Sequence, residues 1–192
     1  MRTLTPLQPR KRKAAKRTSG FTVLEVMVVA AILAVLAALA APSFTPLIER
    51  WRVQQTVENM KSTLYYARSE AIKRGGRIGI EKNPQGTNGC TLAKTTEEWG
   101  CGWFVFVDSD GNGKWKKGEE ILQTVPPPSD IGIRRKPMGA NLNLDPYGMT
   151  NGANIISFTF SPNRTGISSP ATRAVCMAAG GRIRVIEDIP CK

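Results

Sequence analysis

Histidine is absent from this 192-residue chain. The sequence also contains no Gly-x-Ser-x-Gly motif and no phosphate-binding glycine loop, so no residue pattern supplies a nucleophile with a base beside it. The acidic pairs Glu97 with Glu98 and Glu119 with Glu120 lie in polar, loop-like sequence and are most simply surface charges. We therefore expect a protein that is not an enzyme and that uses no cofactor.

Acidic residues are missing from the amino-terminal segment. Residues 1–20 contain 7 basic residues and no acid, whereas the whole chain has 27 basic and 15 acidic residues and a net charge of +12. The remainder, residues 21–192, keeps 20 basic and 15 acidic residues, a net charge of +5. A mild positive charge favours anionic partners without defining a site for them.

An apolar run with a single charge follows the basic segment. Residues 26–41 are all Val, Met, Ala, Ile or Leu, and Glu25 is the only charged residue between Phe21 and Pro42. Twenty-one residues of helix measure roughly 31 Å, enough to cross a bilayer core. The preceding basic residues predict a cytoplasmic amino end. An ordinary anchor or a secretory signal peptide is the alternative, but a signal peptide has an apolar core of only about 7 to 15 residues.

The junction between these segments reads Gly-Phe-Thr-Val-Leu-Glu at residues 20–25. It resembles the amino terminus of type IV prepilins and pseudopilins. The resemblance implies that a prepilin peptidase cuts between Gly20 and Phe21 and that the new amino group of Phe21 is methylated. It also implies that Glu25 pairs with the Phe21 amine of a neighbouring pilin subunit, which offsets the cost of a carboxylate in hydrocarbon. The protein would cross the inner membrane once, with its carboxyl-terminal head in the periplasm, and then enter a pilus or pseudopilus.

Four cysteines lie in the part expected to be exported: Cys90, Cys101, Cys176 and Cys191. An even number in an oxidising compartment predicts two disulfides. Three pairings are open, and we favour Cys90 with Cys101 and Cys176 with Cys191 because each closes a short loop. A zinc site is disfavoured because the chain has neither histidine nor a Cys-x-x-Cys pair, so we expect no metal.

The chain beyond the apolar run changes from helical to strand periodicity. Residues 47–73 have apolar positions three and four apart, and Gly75 with Gly76 would end this helix. Pro42 and Pro46 lie where a kink would be tolerated. Period-two patterns then predict strands at 77–81, 103–107, 121–125, 131–134, 155–160, 172–177 and 182–186.

These patterns predict an α+β protein with three parts. Residues 1–20 form a cleaved leader and residues 21–75 a long helix, of which 21–42 are the transmembrane or filament-core half and the rest is amphipathic. Residues 76–192 form a β-rich, two-sheet, pilin-like head that packs on the helix.

Several motifs of the head narrow the resemblance. They are the strand Trp-Phe-Val-Phe-Val-Asp with its Gly-rich hairpin, the Phe160-Ser-Pro-Asn-Arg-Thr-Gly166 turn and the final Gly-Arg-x-Arg. Together with the amino terminus they resemble the GspH/FimT family of minor pilins and pseudopilins, over residues 20–192. The resemblance implies either a part in type II secretion or, in the FimT branch, DNA binding by a type IV pilus during natural transformation.

The Gly-Arg-x-Arg motif would decide between these functions. It resembles the DNA-binding signature of the FimT branch and falls on Gly181, Arg182 and Arg184. Residues two apart on a strand point to one side, so the two guanidiniums could follow successive phosphates. Lys192 and Arg173 could add charge. The alternative is a solvated strand face paired with nearby acids, in a structural pilin or a secretion pseudopilin that binds no DNA.

A second motif matches the calcium loop of an EF-hand, from Asp108 to Glu119. Its flanks read as strands, and it contains three lysines, so we interpret it as a β-hairpin turn. The tip offers a secondary DNA-binding candidate, because an aromatic ring among cations can stack on a base. Its residues are Lys114, Trp115, Lys116 and Lys117.

Overall fold

A computed structural model describes residues 20–40, 44–150, 155–187, 189 and 191. The chain divides into two compact units, Met1–Pro42 and Ser43–Lys192. The predicted leader, residues 1–20, lies outside the described residues except for Gly20.

The first unit contains helix α1, Val23–Ala40. Thr22 begins it by accepting two hydrogen bonds: its Oγ1 from the Glu25 N–H at 3.2 Å and its carbonyl from the Val26 N–H at 3.2 Å. No helix in the described part of the chain has the length and apolarity that a membrane crossing requires. The transmembrane segment 21–42 therefore stays a prediction, and its last two residues are not described.

The second unit begins with helix α2, Thr45–Arg74. Pro46 lies in its first turn, where a fixed φ and a missing N–H favour helix initiation, rather than at a kink. Pro42 is outside the described residues. Gly75, at φ +74°, ends the helix, and the Gly76 N–H donates to the Ala71 carbonyl at 2.7 Å, as predicted.

The buried face of α2 agrees with the predicted periodicity. All six predicted core positions are at most 1% exposed: Val53, Val57, Met60, Leu64, Ala67 and Ala71. They contact both sheets of the head and form one core with them. Near the middle of this core the Trp103 indole N–H donates to Thr63 Oγ1 at 3.1 Å, which satisfies a buried donor.

The described part of the head contains two four-stranded antiparallel sheets. The first has the order β3-β2-β1-β5 and the second β4-β6-β7-β8. The strands are β1 Ile78–Lys82, β2 Trp103–Val107, β3 Ile121–Val125, β4 Ile131–Lys136, β5 Asn141–Leu144, β6 Ile156–Pro162, β7 Arg173–Met177 and β8 Ile183–Ile186. All seven predicted strands are confirmed with small shifts at their ends, and β5 was not predicted.

Two disulfides fix the loops of the head. Cys90 is bonded to Cys101 and Cys176 to Cys191, which confirms the favoured pairing. The loop closed by the first bond carries residues 97–99, which pair with the edge of β4: the Trp99 N–H donates to Ile133 O at 2.9 Å. This pairing connects the loop to the second sheet.

Candidate nucleic-acid interface

The predicted DNA-binding motif lies on the hairpin of β7 and β8. Its turn is closed by the Gly181 N–H, which donates to Ala178 O at 2.8 Å, and by the Ala178 N–H, which donates to Arg182 O at 2.9 Å. Gly181 has φ +78°, a backbone conformation that residues other than glycine rarely adopt. Strand β8 begins at Ile183, so Arg182, the predicted first residue of this strand, lies in the turn one residue before it.

The register of the hairpin places Arg182 and Arg184 on one face. Arg184 is opposite Cys176, and Arg182 follows it in the same row, opposite Ala178. The other face carries Val175, Met177 and Ile183, which belong to the core or pack against it. The two arginines therefore point away from the core, as expected of residues two apart on a strand.

Both arginines are exposed. The guanidinium of Arg182 has no hydrogen bond or ion pair within the described part of the chain. Among the described residues the strand order of the second sheet ends at β8, so the motif lies at an edge of that sheet. An exposed edge of this kind lets an extended anion approach the side chains without displacing other strands.

Arg173 lies at the open end of the same hairpin, away from the turn. Its guanidinium pairs with Glu187 at 3.0 Å and donates to the carbonyls of Pro170 at 3.0 Å and Thr172 at 2.8 Å. Ala178 is five positions further along the strand, a distance of about 17 Å. The structure therefore does not bring Arg173 together with Arg182, and its charge is already paired.

The carboxyl-terminal tail is bonded to the motif's own hairpin. Cys191 bridges to Cys176, which is the residue directly across from Arg184. Lys192 follows Cys191 but lies outside the described residues, so its place in the proposed site stays a prediction.

Sequence reasoning missed a further arginine, Arg68 of α2. Its guanidinium lies against Gly181: a Cβ added to that glycine would be 2.6 Å from Arg68 Nη2 and 2.7 Å from Cζ. Arg68 Nε donates to the Gly148 carbonyl at 2.9 Å. No local pattern joins residues this far apart in the sequence, so only the fold reveals the contact.

The secondary candidate is the loop between β2 and β3, in the first sheet. Lys116 pairs with Asp110 at 2.8 Å, and this hydrogen bond raises the pKa of Lys116 and lowers that of Asp110. The Trp115 ring packs edge-on against Phe104 with centroids 5.9 Å apart, and its indole N–H donates to Glu119 O at 3.3 Å. Trp115 as a whole is 36% exposed.

The acidic residues of this loop stabilise the loop itself. One oxygen each from Asp108, Asp110 and Glu119 can lie within 4.8 Å of one another, a spacing that a cation could use. The same carboxylates accept backbone N–H groups: Asp108 accepts from Gly113 at 2.8 Å, and Glu119 from Ser109 at 2.8 Å. The loop connects two strands rather than two helices, as the interpretation of a hairpin turn predicts.

The predicted processing and assembly residues lie at the start of the first unit. Phe21 is 81% exposed, and Glu25 is exposed on the first turn of α1. Both residues line one shallow apolar groove, together with Val26, Val29, Ala30 and Leu33.

Comparisons with known proteins agree with this architecture. The family model described as Type II transport protein GspH matches residues 56–185, and the model described as the prokaryotic N-terminal methylation motif matches residues 15–41. No curated protein matches the chain significantly.

Two solved structures share the fold. A crystal structure of the type IV minor pilin FimU from Pseudomonas aeruginosa (strain PAO1), in space group P21, matches with a TM-score of 0.55 and 20% identity over 73% of this chain and 92% of that one. A second crystal form, in space group P65, matches with a TM-score of 0.52 and 20% identity over 69% of this chain and 91% of that one.

A helix packed on two antiparallel sheets, preceded by a methylation motif, defines a pilin-like protein. The chain belongs to the GspH family, and it is a minor pilin or pseudopilin of the GspH/FimT type. This family and fold are those of structural, pilin-like proteins. Membership implies association with other pilin subunits, processing by a prepilin peptidase at the motif and a membrane-anchored precursor.

Proposed function

We propose that this protein is a minor pilin of a type IV pilus whose head binds DNA without sequence preference and so aids DNA uptake in natural transformation. The observation that carries the proposal is the pair Arg182 and Arg184, both exposed on one face of the β7–β8 hairpin at the edge of the second sheet. Gly181 precedes the pair and completes the Gly-Arg-x-Arg motif.

Electrostatics supports a phosphate-directed mode of binding. Guanidiniums bind phosphate oxygens through two parallel hydrogen bonds, and contacts to the backbone carry no sequence information. Each neutralised phosphate releases counterions, so the affinity should fall steeply with salt. A protein that takes up any DNA needs this kind of contact.

The amino-terminal unit would anchor and assemble the protein. In this proposal residues 21–42 hold the precursor in the inner membrane, with the head in the periplasm, and the peptidase cuts after Gly20. Glu25 then pairs with the Phe21 amine of a neighbouring subunit as the helix enters the filament. The exposure of both side chains at the start of α1 is compatible with an intermolecular pair.

The test is a titration of duplex DNA with the head, Ser43–Lys192, which forms its own compact unit with both disulfides. Fluorescence anisotropy at about 50 and 200 mM salt should give micromolar or weaker binding that weakens strongly with salt. The double variant Arg182→Gln, Arg184→Gln should bind at least about tenfold more weakly, with a salt slope smaller in magnitude by about 2.

Strand β4 provides a matched control. Arg134 and Lys136 are exposed and two residues apart, like the proposed pair, but lie at the other end of the same sheet, where residues 97–99 pair with β4 and Glu97 lies 3.8 Å from Arg134. Arg135 between them is unsuitable, because it is buried over Trp99 and burial lowers its pKa to about 10. Arg134→Gln with Lys136→Gln removes the same charge and should leave binding nearly unchanged. Equal losses in both double variants would point to net charge rather than to a site.

The second candidate function is a pseudopilin of type II secretion, or a structural minor pilin, that primes a filament without binding DNA. The match to the family model described as a type II transport protein favours it. A folded wild-type head that binds no DNA at about 50 mM salt would support this alternative.

A further inference from the structure

Arg68 of α2 lies in a slot between two glycine turns. On one side it contacts Gly181, and on the other a Cβ added to Gly148 would be 3.3 Å from its Nε. Both glycines have positive φ, +78° and +68°, so a larger residue at either position would be strained and would displace the guanidinium. Besides its positive φ, the close approach of Arg68 is thus a second physical reason why a glycine occupies position 181, the first of the Gly-Arg-x-Arg motif.

Among the described residues, none neutralises the charge of Arg68. Its Nε donates a hydrogen bond to the Gly148 carbonyl, and neither terminal nitrogen has an acceptor among the described residues. No carboxylate forms an ion pair with Arg68 in that part of the chain, whereas Arg173 and Arg74 both have one. The residue as a whole is half-buried.

We propose that Arg68 is a further phosphate-binding residue of the same surface, and this inference rests on the proposed DNA binding. The hairpin carries Arg182 and Arg184 on its outer face, while Arg68 contacts the residue directly before Arg182 from the helix side. The three arginines therefore lie on both sides of the hairpin tip, and in this proposal a nucleic acid backbone that crosses the tip contacts the guanidinium of Arg68 as well.

Substitution of Arg68 by glutamine and by lysine tests the inference in the folded head. Loss of one phosphate contact predicts that Arg68→Gln binds duplex DNA about fivefold more weakly, with a salt slope smaller in magnitude by about 1. Arg68→Lys keeps the charge but loses the bond to Gly148, so it should retain the wild-type salt slope. If Arg68 only positions the hairpin, both variants should weaken binding equally.

Arg50 of α2 offers the matched control, because it is an exposed arginine near the other end of the same helix. Arg50→Gln should leave the affinity and the salt slope unchanged. Wild-type binding that is lost in the Arg182, Arg184 double variant but unaltered in Arg68→Gln would overturn this inference alone. No binding by the wild-type head would overturn the proposed function and this inference with it. Urea unfolding of each variant separates these outcomes from misfolding.

Discussion

The ion pairs of Glu70 make the stability of the head depend on the protonation of this one carboxylate. Its side chain is 12% exposed and accepts from Arg74 Nε at 2.7 Å and from Lys73 at 3.5 Å. The hydrogen bond from Arg74 is the main reason why the pKa of Glu70 lies below its usual 4.5. Arg74 also reaches Glu120 at 3.1 Å, which ties the end of α2 to the loop before β3.

This pairing predicts a specific acid sensitivity. Because the folded pKa of Glu70 is depressed, its contribution to stability is present above the unfolded value of 4.5 and is lost as the pH falls through the folded pKa. Glu70→Gln should therefore destabilise the head at about pH 7, and its difference from wild type should shrink as the pH falls below 4.5, as measured by urea unfolding. Glu58→Gln, which breaks an exposed pair with Lys61, is the control and should have little effect at neutral pH. A difference between wild type and Glu70→Gln that persists undiminished at about pH 3 would contradict this explanation.

At the residue scale, local patterns could not reveal contacts that the fold creates. The motif residues Arg182 and Arg184 were recognisable because they lie only two positions apart in the sequence. Arg68 was not, because it meets Gly148 and Gly181 only after α2 packs on both turns. The pairing of Arg173 with Glu187 likewise depends on the register of β7 and β8.

At the scale of elements, burial was predictable where the repeating pattern of apolar residues extends over many residues. Helix α2 has six core positions over five turns, and all are buried. Strand β5, Asn141–Leu144, offers only Leu142 and Leu144 to the core and alternates them with asparagines, which occur more often in turns. It is a strand because β1 provides an edge for it, with Ile80 opposite Leu142. Such a strand forms only beside a partner strand that is distant in the sequence, so a short stretch of sequence does not reveal it.

The disulfide between Cys176 and Cys191 gives a prediction at this scale. It closes a loop of 15 residues, and the chain-entropy model gives about 3 kcal/mol for a loop of that size. The double variant Cys176→Ser, Cys191→Ser should lose about this much unfolding free energy in urea, and its tail should exchange amide hydrogens faster. The bond between Cys90 and Cys101 stays intact in this variant and keeps the other loop fixed. A loss below about 1 kcal/mol would show that the tail is held by contacts other than the disulfide.

At the scale of the whole molecule, assembly into a filament would allow weak contacts with DNA to add up. A surface of a few arginines binds DNA only weakly in one subunit. Several subunits carried by one filament would raise the effective concentration of sites and so the overall strength of binding.

The most direct measurement of the central claim is a map of the DNA-contacting residues by NMR. The isotope-labelled head, Ser43–Lys192, would be titrated with a short duplex at low salt, and backbone amide shifts followed. We predict that the largest changes lie in residues 178–186, with a second group on α2 around Arg68, and that they disappear on adding salt. Changes concentrated at residues 114–117 of the other sheet, or no changes in a folded head, would contradict the assignment of DNA binding to Arg182 and Arg184.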